Sequence, residues 1–248
     1  MTAAGLALFA QEGPVIPDFG RGDECIRENG KFCLNWFLDE FDGRFLPRVV
    51  EHIEMTLIAL AFGSAIAFAF ALLAYRNQRF ELPFANLSAL FYTIPSIAFF
   101  QIMVPITGIG WLSIEIALIS YTLLILFRNT LTGLRGVPPE TMDAAEGMGL
   151  TRRQMLTRVE LPLAMPAIVA GIRVATVTTI SLATVAAFIT PLGLGAPIFS
   201  AIQTGANTDF VAAGLLAILL ALIADVLIVI VQHLISPWQR ARVRGGTA

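Results

Sequence analysis

Long runs without charged residues dominate the hydrophobic pattern of this chain, and they alternate with short polar segments. A helix needs about 20 apolar residues to cross a hydrocarbon core of about 30 Å. Apolar runs of that length, broken at segments rich in proline and glycine such as residues 105–111 (PITGIGW), predict five membrane-spanning helices. The predicted limits are 55–75, 83–106, 111–134, 166–190 and 210–235, with a polar loop at 135–165.

Composition supports a membrane protein. Of the 248 residues, 56% are hydrophobic and only 14% are charged, whereas a typical soluble domain has about 25% charged residues. Mean hydropathy is +0.77. We therefore expect an all-α, multi-pass protein of the cell (inner or cytoplasmic) membrane, surrounded by lipid and without a nucleic-acid partner.

The distribution of arginine predicts the orientation, because positive residues of short loops stay on the cytoplasmic side. The loops at 107–110 and 191–208 contain no basic residue. This pattern places the N-terminus outside, the C-terminus in the cytoplasm, residues 1–50 as an extracellular segment and 51–248 as the five-span domain. Arg44 and Arg48 argue weakly for the reverse. Arginines follow the first, third and fifth predicted spans: Arg76, Arg79, Arg135, Arg152, Arg153, Arg158, Arg240, Arg242 and Arg244.

Both cysteines, Cys25 and Cys33, fall in the predicted extracellular segment. Outside the membrane they can form a disulfide that closes a small loop. Two unpaired thiols remain the alternative, because sequence spacing does not show that the two Cα atoms approach closely enough.

The polar loop predicts two short helices. Pro138 and Pro139 suit a first helical turn, where a missing N–H has no cost, and Gly149 ends that helix. Thr151 caps a second helical piece, after which Leu161 and Pro162 turn the chain back to the bilayer. A small amphipathic elbow results, or alternatively an interfacial helix lying on lipid headgroups. Residues at a spacing of three form the apolar stripe of the first helix: Met142, Ala145 and Met148.

The residues of this elbow resemble the EAA motif of binding-protein-dependent ABC importer permeases. Asp143-Ala144-Ala145, then Gly149, Val159 and Leu161-Pro162 have the spacing and position of that motif, with Asp and Val in place of the usual Glu and Ile. Four further stretches are similar to osmoprotectant permeases for glycine betaine, choline and carnitine. These stretches are residues 92–100, 128–140, 160–173 and 193–205.

The resemblance implies a type I importer fold with five spans, in which two permease chains, identical or homologous, share one pathway. It also implies a separate ATPase that carries ATP and magnesium, and an extracellular or periplasmic binding protein. The coupling helix of this family docks into a groove of the ATPase. Residues assigned to that contact are Met142, Asp143, Ala144, Ala145, Met148, Gly149, Leu161 and Pro162.

The chain itself is not expected to be an enzyme. A phosphate-binding P-loop requires Gly-x4-Gly-Lys-Ser/Thr, and the only lysine, Lys31, is followed by Phe32. No cofactor of its own and no metal site are expected, since His52 and His233 lie near membrane boundaries without ligands at metal spacing. Glu115 lies near the outer end of its span, which indicates an interface residue.

Ionisable residues inside spans usually face a partner helix or a cavity. Asp225 is the deepest and is expected to pair with Arg128 or Arg173, or else to line the path. Small polar residues are further candidates for the substrate path, although most such residues hold helices together. The path candidates are Thr93, Pro95, Ser96, Gln101, Ser120, Tyr121, Thr178, Thr179 and Ser181.

Other transport classes give distinct expectations. An importer for another small polar solute, such as an amino acid, would share the same elbow. A secondary transporter would have internal repeats, which the five unequal spans do not show. A channel subunit is a further alternative if the elbow only lies at the membrane interface.

Overall fold

A computed structural model describes residues 24–235, which form helices joined by short turns, with no strand in that range. Two short helices, α1 (Glu24–Arg27) and α2 (Leu34–Glu40), come first, and a π-helical turn at Phe41–Phe45 joins α2 to α3 (Leu46–Arg76). The remaining helices are α4 (Glu81–Thr93), α5 (Ser96–Thr107), α6 (Trp111–Arg135), α7 (Pro139–Gly147), α8 (Arg152–Met155), α9 (Leu161–Ala186), α10 (Gly195–Thr204) and α11 (Asn207–Ile235).

Four helical segments within residues 24–235 are long and apolar enough to cross a membrane, and they contain α3, α6, α9 and α11. The bent pair formed by α4 and α5 is the fifth candidate. The first segment is longer than its apolar run, because the helix extends through the charged residues before residue 55. The boundary expected at residue 50 therefore falls inside α3.

The second predicted span differs from the expectation of one helix over 83–106. The chain bends by 103° between α4 and α5. Pro95 has no N–H to donate and it disfavours helical backbone at the preceding residue, and Ile94 accordingly has ψ 128°. The hydroxyl of Tyr121 in α6 donates to the Ile94 carbonyl, which the end of α4 leaves without a helical partner. The break is thus fixed by a neighbouring helix.

Helix α6 occupies the centre of the bundle and packs against α3, α4, α5 and α9. Small residues allow the close approach, as in membrane helix pairs generally. A Cβ added at Gly63 of α3 would collide with the hydroxyl of Thr122, and one at Gly133 would lie 2.9 Å from the Ala164 carbonyl oxygen of α9. This packing makes α6 the common support for both ends of the bundle.

Helix α9 begins without the turn expected at Leu161 and Pro162. Residues 152–186 are helical throughout, with a π-helical turn at Leu156–Glu160 just before α9. Pro162 falls in the first turn of α9, and the wider π-helical turn precedes it. A π-helical turn allows a proline inside a continuous helix, since the i→i−4 bond that proline lacks is already displaced. The break in helical structure lies at residues 148–151 instead.

Candidate functional site: the elbow and the polar residues of the spans

The elbow, residues 136–160 between α6 and α9, is built by local signals. Helix α7 ends in a Schellman motif, in which Gly149 has φ +78° and Leu150 N–H bonds the Ala145 carbonyl at 3.2 Å. Thr151 then forms a capping box with Gln154, whose side-chain oxygen accepts from the Thr151 N–H at 2.8 Å. Both devices stabilise the short connection between α7 and α8.

One side of α7 is exposed. Ala145 is only 1% exposed, whereas Met148 is 72% exposed, so the apolar stripe of Met142, Ala145 and Met148 is divided between the packed side and the exposed side of the elbow. The stripe divides because α7 ends at Gly147, and Met148 lies beyond the last helical turn. We call the exposed residues of this side the elbow tip: Asp143, Ala144, Gly147, Met148 and Gly149.

The other side of the elbow is attached to the bundle. Glu160, 6% exposed, accepts a hydrogen bond of 3.0 Å from the Tyr75 hydroxyl at the end of α3. Leu156 and Ala164 pack against Leu134 of α6. Leu161 packs partly against this cluster, and Pro162 is half-buried, so these two residues belong to the base of the elbow rather than its tip. The base of the elbow is therefore held against α3, α6 and α9.

Two of the ionisable residues in the spans pair with each other. Arg173 of α9 donates to both carboxylate oxygens of Asp225 in α11, each at 2.8 Å. A bidentate pair of this kind neutralises both charges inside the bilayer. Arg128 of α6 is exposed, and no residue within 24–235 accepts a hydrogen bond from its side chain or forms an ion pair with it.

The path candidates fall into two groups. Ser120, Tyr121 and Thr179 are buried inside this chain, and Ser120 donates to the Ile116 carbonyl of its own helix at 2.7 Å. These side chains do not reach the surface of the chain. The exposed or half-buried candidates are Thr93, Pro95, Ser96, Gln101, Thr178 and Ser181.

Aromatic rings gather at the break between α4 and α5. The ring of Tyr121 lies 6.2 Å from that of Tyr92 and 5.6 Å from that of Phe99, both edge-to-face. Tyr92 is 43% exposed. Sequence reasoning did not single out Tyr92, although two aromatic residues directly before a Thr-Ile-Pro break are a signal for a ring cluster at the bend. The ring of Tyr92 and the hydroxyl of Thr93 thus lie together at the exposed side of the break.

His52 and Glu115, both expected to be ordinary residues near a membrane boundary, are buried within the chain, which the sequence pattern did not indicate. His52 is completely buried. Its Nδ1 accepts from the Leu194 N–H at 3.2 Å, so Nε2 carries the proton and donates to the Ile180 carbonyl at 3.0 Å. Glu115 is 4% exposed, and neither of its oxygens has a hydrogen-bond partner among the described residues.

His52 belongs to a set of contacts at the end of the bundle opposite the elbow. Glu51 accepts from the Gly193 N–H at 2.9 Å, and Arg48 donates to Glu51 at 2.8 Å and to the Pro191 carbonyl at 2.9 Å. These bonds attach the start of α3 to the loop between α9 and α10.

The segment before α3 joins the same end. Cys25 and Cys33 form a disulfide, and Thr208 at the start of α11 accepts from the Cys33 N–H and donates to the Gly30 carbonyl, both at 3.2 Å. Arg44 pairs with Asp209 at 2.8 Å. We call these contacts, together with those of Arg48, Glu51 and His52, the clamp.

Fold and site together define a multi-pass permease with a protruding elbow. Residues 50–241 match the model of the binding-protein-dependent transport system inner membrane component, and the chain belongs to this family. It is therefore a membrane-embedded transport component, a permease of an ABC importer, and a family of this kind implies an ATPase, a second permease and a binding protein as partners.

Two relatives are similar to this chain over most of their own length. The glycine betaine/carnitine/choline transport system permease protein OpuCB of Bacillus subtilis (strain 168) is 30% identical, over 81% of this chain and 93% of the relative. The osmoprotectant import permease protein OsmW of Salmonella typhimurium is 37% identical, over 82% and 97%.

The fold is also seen in a solved structure. An inward-facing form of the MetNI methionine ABC transporter has a TM-score of 0.66 at 20% identity, over 75% of this chain and 94% of that one. The all-helical type I importer fold implied by the EAA-like residues is confirmed.

Proposed function

We propose that this permease imports a small quaternary-amine osmoprotectant, such as glycine betaine, choline or carnitine, into the cytoplasm. A separate ATPase drives the import by binding the elbow, and a binding protein delivers the solute from outside. The elbow then faces the cytoplasm and the clamp faces outward, in agreement with the arginines near the elbow and the positive-inside rule.

The elbow tip is the observation that carries the coupling. A residue as apolar as Met148 at 72% exposure, beside small residues at 144 and 147, forms a protrusion that fits a groove of another protein. The base of the elbow is packed on α6 and bonded to α3. Force applied at the tip by the ATPase therefore reaches the membrane helices.

The relatives and the break between α4 and α5 support the substrate class. OpuCB and OsmW are named for quaternary amines and osmoprotectants. Quaternary ammonium groups bind to aromatic ring faces, and the exposed Tyr92 lies beside Thr93 and Pro95 at the break. This position gives a passing cation a ring face and polar groups on one side of the path.

A second permease chain completes the path. The polar candidates that remain accessible, including Gln101 and Ser181, lie at the surface of this chain and not in an enclosed channel. Since exposed polar groups are costly in lipid, their surface is expected to meet a second chain across the pathway.

Uptake in vesicles tests the proposal. The purified permease, reconstituted with its ATPase and binding protein, should accumulate labelled glycine betaine, carnitine or choline only when ATP is inside the compartment with the elbow. Accumulation driven by a sodium or proton gradient without ATP would contradict the proposal and indicate secondary transport. Dependence on ATP for an amino acid and for no quaternary amine would contradict the substrate class alone.

A further inference from the structure

Arg128 is an exposed charge within a membrane span. It lies seven residues before the end of α6, at about 1.5 Å per residue roughly 10 Å from the elbow end of the helix. No described residue pairs with it, and the C-terminal residues 236–248 contain no Asp or Glu. An unpaired arginine at this depth is costly against lipid and usually faces a cavity or a pathway.

A second copy of this chain does not supply the missing anion either. Acidic side chains at similar or greater depth in the spans are already engaged or enclosed: Asp225 binds Arg173, Glu81 binds Arg135 at 2.6 Å, and Glu115 is buried. The counter-anion of Arg128 must therefore come from outside such a pair of chains.

The surroundings of Arg128 suit a small anionic group. A cavity of about 330 Å³ lies between α4 and α6. Its polar lining is Arg128, Asn86, Thr132 and the ion pair of Glu81 with Arg135, and its apolar lining includes Phe127 and Leu131. The side chains of Asn86 and Thr132 form no hydrogen bond within residues 24–235. The volume falls within the range of small-molecule sites, which begins at about 300 Å³. Because Arg135 already engages Glu81, the Arg128 guanidinium is available to an anion that enters this cavity.

The cavity also lies closer to the elbow end of the bundle than the break between α4 and α5 does. Arg128 follows Tyr121 by seven residues, which returns it to nearly the same face of α6 two turns closer to the elbow. Tyr121 bonds the Ile94 carbonyl at the break. A solute that passes the break on this side moves next along the face that carries Arg128.

We propose that Arg128 receives the carboxylate of a zwitterionic quaternary amine on the elbow side of the path, an inference that rests on the proposed function. Glycine betaine and carnitine each carry a carboxylate, and the guanidinium group matches its geometry with two parallel hydrogen bonds. Choline has no carboxylate and passes Arg128 without this bond. Arg128 is thus a specificity residue that favours zwitterions over simple cations.

Uptake by an Arg128→Gln variant tests this inference in the complete complex with ATPase and binding protein. We expect uptake of glycine betaine and carnitine to fall about ten- to a hundred-fold, the effect of one lost charge-assisted pair. Choline uptake should stay within about two- to three-fold of the wild type. As matched control, Arg79→Gln removes an exposed arginine next to α4 and should change neither uptake by more than about two-fold.

Several results would overturn the inference. Equal losses for choline and the zwitterions would show a structural role, as would loss of the co-purifying ATPase. A defect that appears only in vesicles with anionic lipid would identify a lipid phosphate as the partner. If the wild type does not carry choline, the comparison uses the Arg128→Lys variant instead of choline uptake. Lysine keeps the charge but not the two parallel N–H groups, so betaine uptake above that of Arg128→Gln supports a charge contact, and uptake no higher than that of Arg128→Gln excludes it. Failure of the wild type to import any quaternary amine would instead overturn the proposed function.

Discussion

The two ends of the bundle differ in how their side chains are used. At the clamp, polar groups of the N-terminal segment and the start of α3 bond to the ends of α9, α10 and α11, as Arg44 does to Asp209 and Asn29 to Asn207. At the elbow, the side chains of the tip have no partner among residues 24–235, and only the base is attached. One end is bonded to distant parts of the chain, while the tip of the other is exposed.

This difference separates two roles that composition alone does not distinguish. Both ends are polar segments between apolar runs. Bonds across distant parts of the chain hold the clamp, so changes there should alter stability. The elbow is held by local caps and a packed base, so changes at its tip should alter partner binding and leave the fold intact.

The largest expected effect is at Arg173 and Asp225, which hold α11 to α9 between the two ends. Arg173→Met or Asp225→Leu leaves an unpaired charge in a span, so each should lower the temperature of thermal unfolding by more than any of the changes below. The double variant removes both charges and should be more stable than either single variant. Thermal unfolding in detergent measures all three, and additive losses would show that the pair is not coupled.

His52 gives the next largest effect. His52→Ala leaves the buried Leu194 N–H without an acceptor and creates a cavity, so we expect a loss of about 2–4 kcal/mol in unfolding free energy. Glu54→Ala is the control, because Glu54 is an exposed polar residue of the same helix and should change stability by less than about 0.5 kcal/mol. Retention of the ATPase should be the same for both variants, and a loss in His52→Ala alone would contradict the separation of the two ends.

The disulfide should have a more local effect. Replacement of Cys25 and Cys33 by serine opens a short loop and should cost about 2–3 kcal/mol of local stability. Hydrogen exchange should quicken in residues 24–45 and stay unchanged in residues 139–160. Faster exchange in the elbow would show that the two ends are mechanically linked.

Thr151 has the smallest expected effect. Thr151→Ala breaks the capping box with Gln154 and should cost about 1 kcal/mol within the elbow. Thr157→Ala is the control, since its hydroxyl bonds only the Arg153 carbonyl in its own turn. Hydrogen exchange at residues 151–156 should quicken in the first variant only, while the clamp keeps its protection.

Local signals made much of the fold predictable. Apolar runs predicted where the membrane-spanning helices lie. Gly149 and Thr151 predicted the break in the elbow, because helix caps act within a few residues. Pro95 disfavours a straight second span, but the size of the bend was not predictable, since Tyr121 from another helix bonds the Ile94 carbonyl at the break. Helix α7 ends at Gly147, two residues before the glycine expected to end it, so the separation of Met148 from the stripe was not predicted either.

Contacts between residues distant in the chain could not be predicted from the sequence. The buried position of His52 results from bonds to residues 180 and 194, which no local pattern connects. The pairing of Asp225 was open between Arg128 and Arg173, since both arginines lie in spans and only the arrangement of α9 and α11 selects Arg173. Prediction fails where the partner is distant in the chain.

Two glycines provide the most direct test of the elbow as the ATPase contact. A Cβ at Gly147 in the elbow tip or at Gly43 near the clamp would meet no atom within 4 Å, so arginine fits the fold at either position. After co-expression with the ATPase, the amount of ATPase that co-purifies with the permease is measured. We expect the wild type and Gly43→Arg to retain the ATPase and Gly147→Arg to lose it, whereas equal retention by Gly147→Arg would contradict the role of the elbow.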